Sequence, residues 1–144
     1  MLFNSILQDG SLVEVVEELK LLGIVITSYL KWKRNTRNMI RKAYKRMWVV
    51  KRLKLLGASK KQLILTNVQQ VRSALEIAVP VWQPGLTVSE ILDIERVQKS
   101  ICHNILVIEY IDYQEALAVL GLETLEMRRL MLCRSFASKT SKNE

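Results

Sequence analysis

The stretch "NTRNMIRKAYKRMWVVKRLKLL", residues 35–56, decides the fold. Met39, Ile40, Ala43, Tyr44, Met47 and Val50 fall within a sector of about 140° when each residue turns the chain by about 100°, so the segment reads as an amphipathic helix. Arg34, Arg37, Arg41, Lys45 and Arg52 gather within about 80° on the opposite side, with Lys42 next to them. The period is helical on both faces, and the chain that follows keeps it.

Downstream, Gly57 supplies a left-handed stop, and Ser59 with Gln62 makes a capping box for a second helix. Ile64, Val68, Val71, Leu75 and Ala78 then recur every three or four residues, a stripe that Pro80 is expected to end. The next residues, "PVWQPG", hold both prolines of the chain. Pro80, Trp82, Pro84 and Gly85 read as a stiff structural corner, with Trp82 a buried wedge in preference to a base-stacking surface. Thr87 with Glu90 caps a third helix to about residue 108, carrying Ile91, Ile94, Val97, Ile101 and Ile105 inward. Asp112 with Glu115 opens a fourth that Gly121 stops, and Thr124 caps a fifth with Leu125, Leu132 and Phe136 among its apolar positions.

Upstream, "LVEVVEEL" and "LGIVIT" are short and rich in β-branched residues, which suits a hairpin; a helix over residues 12–22 is nearly as good a reading. The expected architecture is therefore mainly α, a small bundle of about five helices behind a short N-terminal β-hairpin-like segment. Residues 1–30 form the β-like part, 31–138 the helical domain and 139–144 a frayed tail.

A chain of 144 residues with 49% apolar content and only 5 Gly can build one core. It has no apolar run of the roughly 18 residues that a membrane span needs, and its start lacks the basic residues of a secretory signal. It reads as soluble and intracellular, in nucleus or cytoplasm. Cys102 and Cys133 read as small apolar packing groups, and His103, the single histidine, has no ligand set at metal-binding spacing.

The formal charge of +8 is distributed unevenly. Residues 19–75 hold 15 of the 22 Lys and Arg and none of the 14 Asp and Glu. Like charges at i and i+4 each cost a free helix a few tenths of a kcal/mol, so a 57-residue block without acid calls for an anionic partner. Nucleic acid is favoured over a plain solvated face, with an anionic membrane surface third because the apolar face is needed for packing. Trp32, Tyr44 and Trp48 interleave with the stripe and suit base stacking.

The stretch "VRSALEIAVPVWQPGLTVSEILDIERVQKSI", followed by "YQEALAVLGLETLEMRRLMLCRSFA", resembles the region after the catalytic core in reverse transcriptases of non-long-terminal-repeat retrotransposons, the RNA-directed DNA polymerases of jockey-like mobile elements. In that family a "PVWxPGLT" corner precedes "ERVQK", and "EALxxLGLxTLExRR" comes later; "VEELKLLGIVITSYLKW" is similar to its "FKYLGV" strand pair at the end of the palm. The likeness spans residues 13–137. Ile77 stands where the family usually has an aromatic.

The resemblance implies that the basic helix and its partner are a thumb, which holds a DNA or RNA template-primer duplex or hybrid by its backbone. It also implies that the partners include the palm and fingers, and that Mg²⁺ belongs to the full-length polymerase. Two-metal nucleotidyl transfer needs converging carboxylates, typically an adjacent aspartate pair, and this sequence has no "DD". The chain is expected to be a non-catalytic part of such a polymerase with no cofactor of its own. A helical module for an acidic protein partner, or a truncated remnant without function, are the alternatives. An unpaired edge on "LGIVIT" is expected to promote self-association.

Overall fold

The computed structural model describes residues 14–142. It opens with an antiparallel hairpin, β1 (Glu18–Leu21) and β2 (Ile24–Thr27), in which Leu21 faces Ile24 and Glu18 faces Thr27. Two residues join the strands, Leu22 at φ +49° and Gly23 at φ +86°, the signs a tight two-residue hairpin turn requires. The first strand lies later than "LVEVVEEL": Glu14–Glu17 are not strand, and residues 12 and 13 are outside the described residues. The helical alternative for the described part of 12–22 is also excluded.

Leu22 sits in the left-handed region, where a Cβ is disfavoured by about 1–2 kcal/mol, and its side chain is exposed. Leu22→Asn should therefore raise stability by about 1 kcal/mol, read as a higher urea midpoint at unchanged slope.

Helix α1 (Lys33–Leu55) buries Met39, Ala43, Met47 and Val50, as its periodicity requires, together with Asn35 and Thr36. Asn35 reaches back to the hairpin: its Oδ1 accepts a hydrogen bond from Val25 N at 3.1 Å. That contact occupies part of the β2 edge expected to be open. Among the described residues β1 has no strand beside it other than β2, and its four residues are all exposed.

The capping box of Ser59 with Gln62 opens α2 (Lys60–Thr66). The helix then widens into a π-helical stretch, Asn67–Arg72, before α3 (Ser73–Leu75). The π turn shifts the inward face by one residue. Leu63, Asn67, Val71, Ala74 and Leu75 are buried, whereas Ile64 is only half-buried and Val68 is exposed. The regular 64–68–71–75–78 stripe is thus broken in its first half.

Pro80 does not end this helix. The chain leaves helical geometry at Glu76 and passes through Ala78 at φ +50°; Pro80 lies in the first turn of α4 (Val79–Trp82), where its missing N–H costs nothing. After a single 3₁₀ turn, Gln83–Gly85, the capping box of Thr87 with Glu90 starts α5 (Val88–Leu106). Asp112 caps α6 (Tyr113–Leu120), Gly121 stops it at φ +63°, and Thr124 caps α7 (Leu125–Thr140). α7 thus extends into the segment expected to fray, and Phe136 on it is exposed instead of packed.

One core unites these helices. Trp82, Ile94, Val97, Ile101, Leu117 and Leu125 pack with the buried face of α1 and with Ile24 of the hairpin. The structure is a helical bundle with a two-stranded appendage, the expected class. Trp82 is 0% exposed, and its indole Nε1–H donates to Ile77 O at 2.7 Å, tying α4 to the end of α3.

Candidate nucleic-acid interface

Because α1 is a continuous helix, its polar face stays on one side for its whole length. Arg34, Arg37, Arg41, Lys42, Lys45 and Arg52 are all exposed on it. Of these, Arg34 pairs with Glu18 of β1 at 2.8 Å, an exposed contact worth at most about 1 kcal/mol. Arg34 is therefore set apart from the open stripe. Among the described residues the other five form no ion pair.

Other basic side chains of the block serve the fold. Arg46 donates to Gln70 O, and Lys54 Nζ reaches Asn104 O at 2.5 Å and Ile105 O at 2.9 Å, where a cation complements the C-terminal end of α5. Arg72 is buried and bridges Glu76 and Glu123 at 2.8 and 3.0 Å, and Lys60 pairs with Glu109. The acid-free block is thus part scaffold and part open surface, and the open part is concentrated on α1.

The aromatics separate in the same way. Trp48 falls inside the angular sector of the stripe and is 63% exposed, and Tyr44 at its border is 45% exposed. Trp32 does not belong with them. It is buried against the corner, where a Cβ on Gly85 would lie 2.5 Å from its Nε1. Of the corner residues, Trp82 is buried, Pro80 half-buried and Pro84 and Gly85 exposed, and Gly85 is required by the close approach of Trp32.

Three depressions follow one another along α1. One, of about 280 Å³, lies between the hairpin turn and Asn38, Arg41, Lys42 and Lys45. A second, of about 440 Å³, shares Asn38 and Arg41 with it and adds Thr27 and Arg34. The third, of about 720 Å³, shares Lys31, Lys33 and Arg37 with the second and runs to the start of α5 at Thr87, Glu90 and Asp93. The hairpin's Lys20 and the connecting Lys31 were not legible as site residues, because only the docking of β2 on α1 brings them to the stripe; Lys33, the first residue of α1, joins them there.

Among the described residues no three of His, Cys, Asp and Glu come together to hold a metal ion. Cys102 is buried and Cys133 half-buried, both free; burial pushes the Cys102 thiol up to about 11, which leaves it a packing group at neutral pH. No described helix is long and apolar enough to cross a membrane. Comparison with protein-family models, with curated proteins and with solved structures finds no match.

Proposed function

We propose that this chain is a thumb-like, non-catalytic part of a retroelement RNA-directed DNA polymerase that holds DNA or RNA by its sugar-phosphate backbone. One observation carries the reading: Arg37, Arg41, Lys42, Lys45 and Arg52 are exposed on one side of a single helix and form no ion pair among the described residues. Arg37 to Arg52 span about 22 Å of helix axis, several consecutive phosphates of a duplex. Guanidinium forks suit phosphate oxygens, and each phosphate contact releases condensed counterions. Trp48 within the stripe adds a face on which a base or an arginine can stack. The "PVWQPGLT" and "ERVQK" resemblance supports the polymerase assignment independently of charge.

The competing reading, an acidic protein partner, would use the same cations without a polymeric counterion atmosphere. Titration of a short duplex or hybrid at several salt concentrations separates the two. Wild-type affinity should fall steeply with salt. Joint replacement of Arg37, Arg41 and Lys45 by Gln should lower the log–log slope by about three, near one unit per lost phosphate contact. An unchanged slope removes the stripe from the proposal.

A further inference from the structure

We infer that the cleft between the N-terminal half of α1 and the start of α5 is a pocket for one unpaired nucleotide, at the end of a strand whose backbone lies on the stripe. The inference rests on the nucleic-acid reading above and adds a base-binding subsite to it.

The cleft has three zones of different chemistry. Its mouth is cationic, formed by Lys31, Lys33 and Arg37, the residues it shares with the neighbouring depression along the stripe. Ile40 and Tyr44 line it with apolar and aromatic surface, and Tyr44 keeps 45% of its area exposed. Deeper in, Thr36 and Glu90 line it, 2% and 7% exposed, and Thr36 Oγ1 and Glu90 Oε1 are both buried without a hydrogen-bond partner among the described residues. The volume of about 720 Å³ lies in the range of small-molecule sites.

Glu90 is held in place by its other oxygen. Oε2 accepts from Thr87 N at 2.8 Å and from Thr87 Oγ1 at 2.7 Å, so the capping box fixes the carboxylate and leaves Oε1 over. A buried acceptor left unsatisfied costs about 1–3 kcal/mol; Oε1 is enclosed by neighbouring side chains, and a ligand N–H that displaces them would remove that cost. A nucleobase supplies that donor: the amino groups of adenine, cytosine and guanine and the ring N–H of guanine, thymine and uracil all donate to carboxylates. Its ring stacks on a tyrosine face, and its phosphate meets the cations at the mouth.

Other occupants fit worse. Asp93 at the α5 side is paired with Arg96, which also lines the cleft, so Glu90 is the unpaired carboxylate there among the described residues; an acidic peptide would bring carboxylates toward it, and a basic one would meet Lys31, Lys33 and Arg37. A nucleotide carries an anion at one end and neutral donors at the other, in the order the cleft presents. Continuity with the depressions along α1 gives the strand a path into it.

The test compares two duplexes of equal charge, one ending in a single unpaired nucleotide and the other with an abasic residue at that position. The protein should bind the first about tenfold more tightly at one salt concentration, with equal salt slopes for both. Tyr44→Ala should reduce the ratio to about one. So should Glu90→Gln, because the cap keeps the amide oxygen on Thr87 and turns the NH₂ into the cleft. Equal binding of the two duplexes with a steep slope would overturn the pocket and leave the stripe standing. Persistence of the ratio in both variants would place the base elsewhere and overturn it too. No binding of either duplex would overturn the pocket and the stripe together.

Discussion

Trp82→Ala should destabilise the protein by about 3–5 kcal/mol, the largest loss expected of any single substitution in the bundle. The side chain is the largest of the fully buried groups, and its removal leaves both a cavity and an unpaired carbonyl at Ile77. Trp82→Phe should cost less, since most of the buried area survives and the missing N–H is the chief loss. Urea unfolding of the three proteins measures the series. The same variant tests what the tryptophan is for: at a temperature where Trp82→Ala is still folded, the salt slope of nucleic-acid binding should equal that of wild type. A changed slope with retained stability would identify Trp82 as a ligand contact, against its burial.

Local chemistry explains why so much of this architecture was legible in the residues. The caps at Ser59, Thr87, Asp112 and Thr124 each act within three residues of the helix they start, so the pattern needs no knowledge of the fold. The stripe on α1 was legible for the same reason, since exposure on a long helix follows its period. The misreadings share the opposite property. Asn67 is buried with neither amide atom hydrogen-bonded among the described residues while Val68 is exposed, an inversion that arises only because the π turn lets α3 meet the core in register. Trp32 looked like a member of the basic surface until Gly85, 53 positions away, closed over its ring. Glu90 read as a cap and nothing more; its second oxygen acquires meaning only when α1 is placed opposite it.

Glu95→Ala is expected to cost about 3 kcal/mol, and to do so by loosening α6 and α7 rather than the basic helix. The Glu95 carboxylate, on α5, accepts from the Tyr113 hydroxyl, from Leu125 N at 3.1 Å and from Glu126 N at 3.2 Å. It joins three helices and places negative charge at the N-terminus of α7, where the helix dipole favours it. Burial first, and then the hydrogen bond to Glu95, push the Tyr113 phenol above its ordinary range. The folded protein therefore holds that proton more tightly than the unfolded chain, so the stability involved is complete below about pH 10 and declines as pH rises beyond it. Glu95→Ala should weaken this alkaline decline.

Arg129 sharpens the same experiment. It is fully buried on α7, donates from Nε to Gln83 at 2.7 Å, and has no partner for either terminal nitrogen among the described residues. Burial lowers its pKa, and Glu95 is the foremost carboxylate opposing that shift. Removal of Glu95 thus leaves a buried cation with less compensation, whereas Arg129→Met removes the cation itself and replaces it with apolar volume. Arg129→Met in the Glu95→Ala background should accordingly recover about 1–2 kcal/mol of the loss, read as a positive coupling in a double-mutant cycle. Strict additivity of the two changes would show that the carboxylate acts only through its three hydrogen bonds. The buried guanidinium would then have to be compensated from another direction.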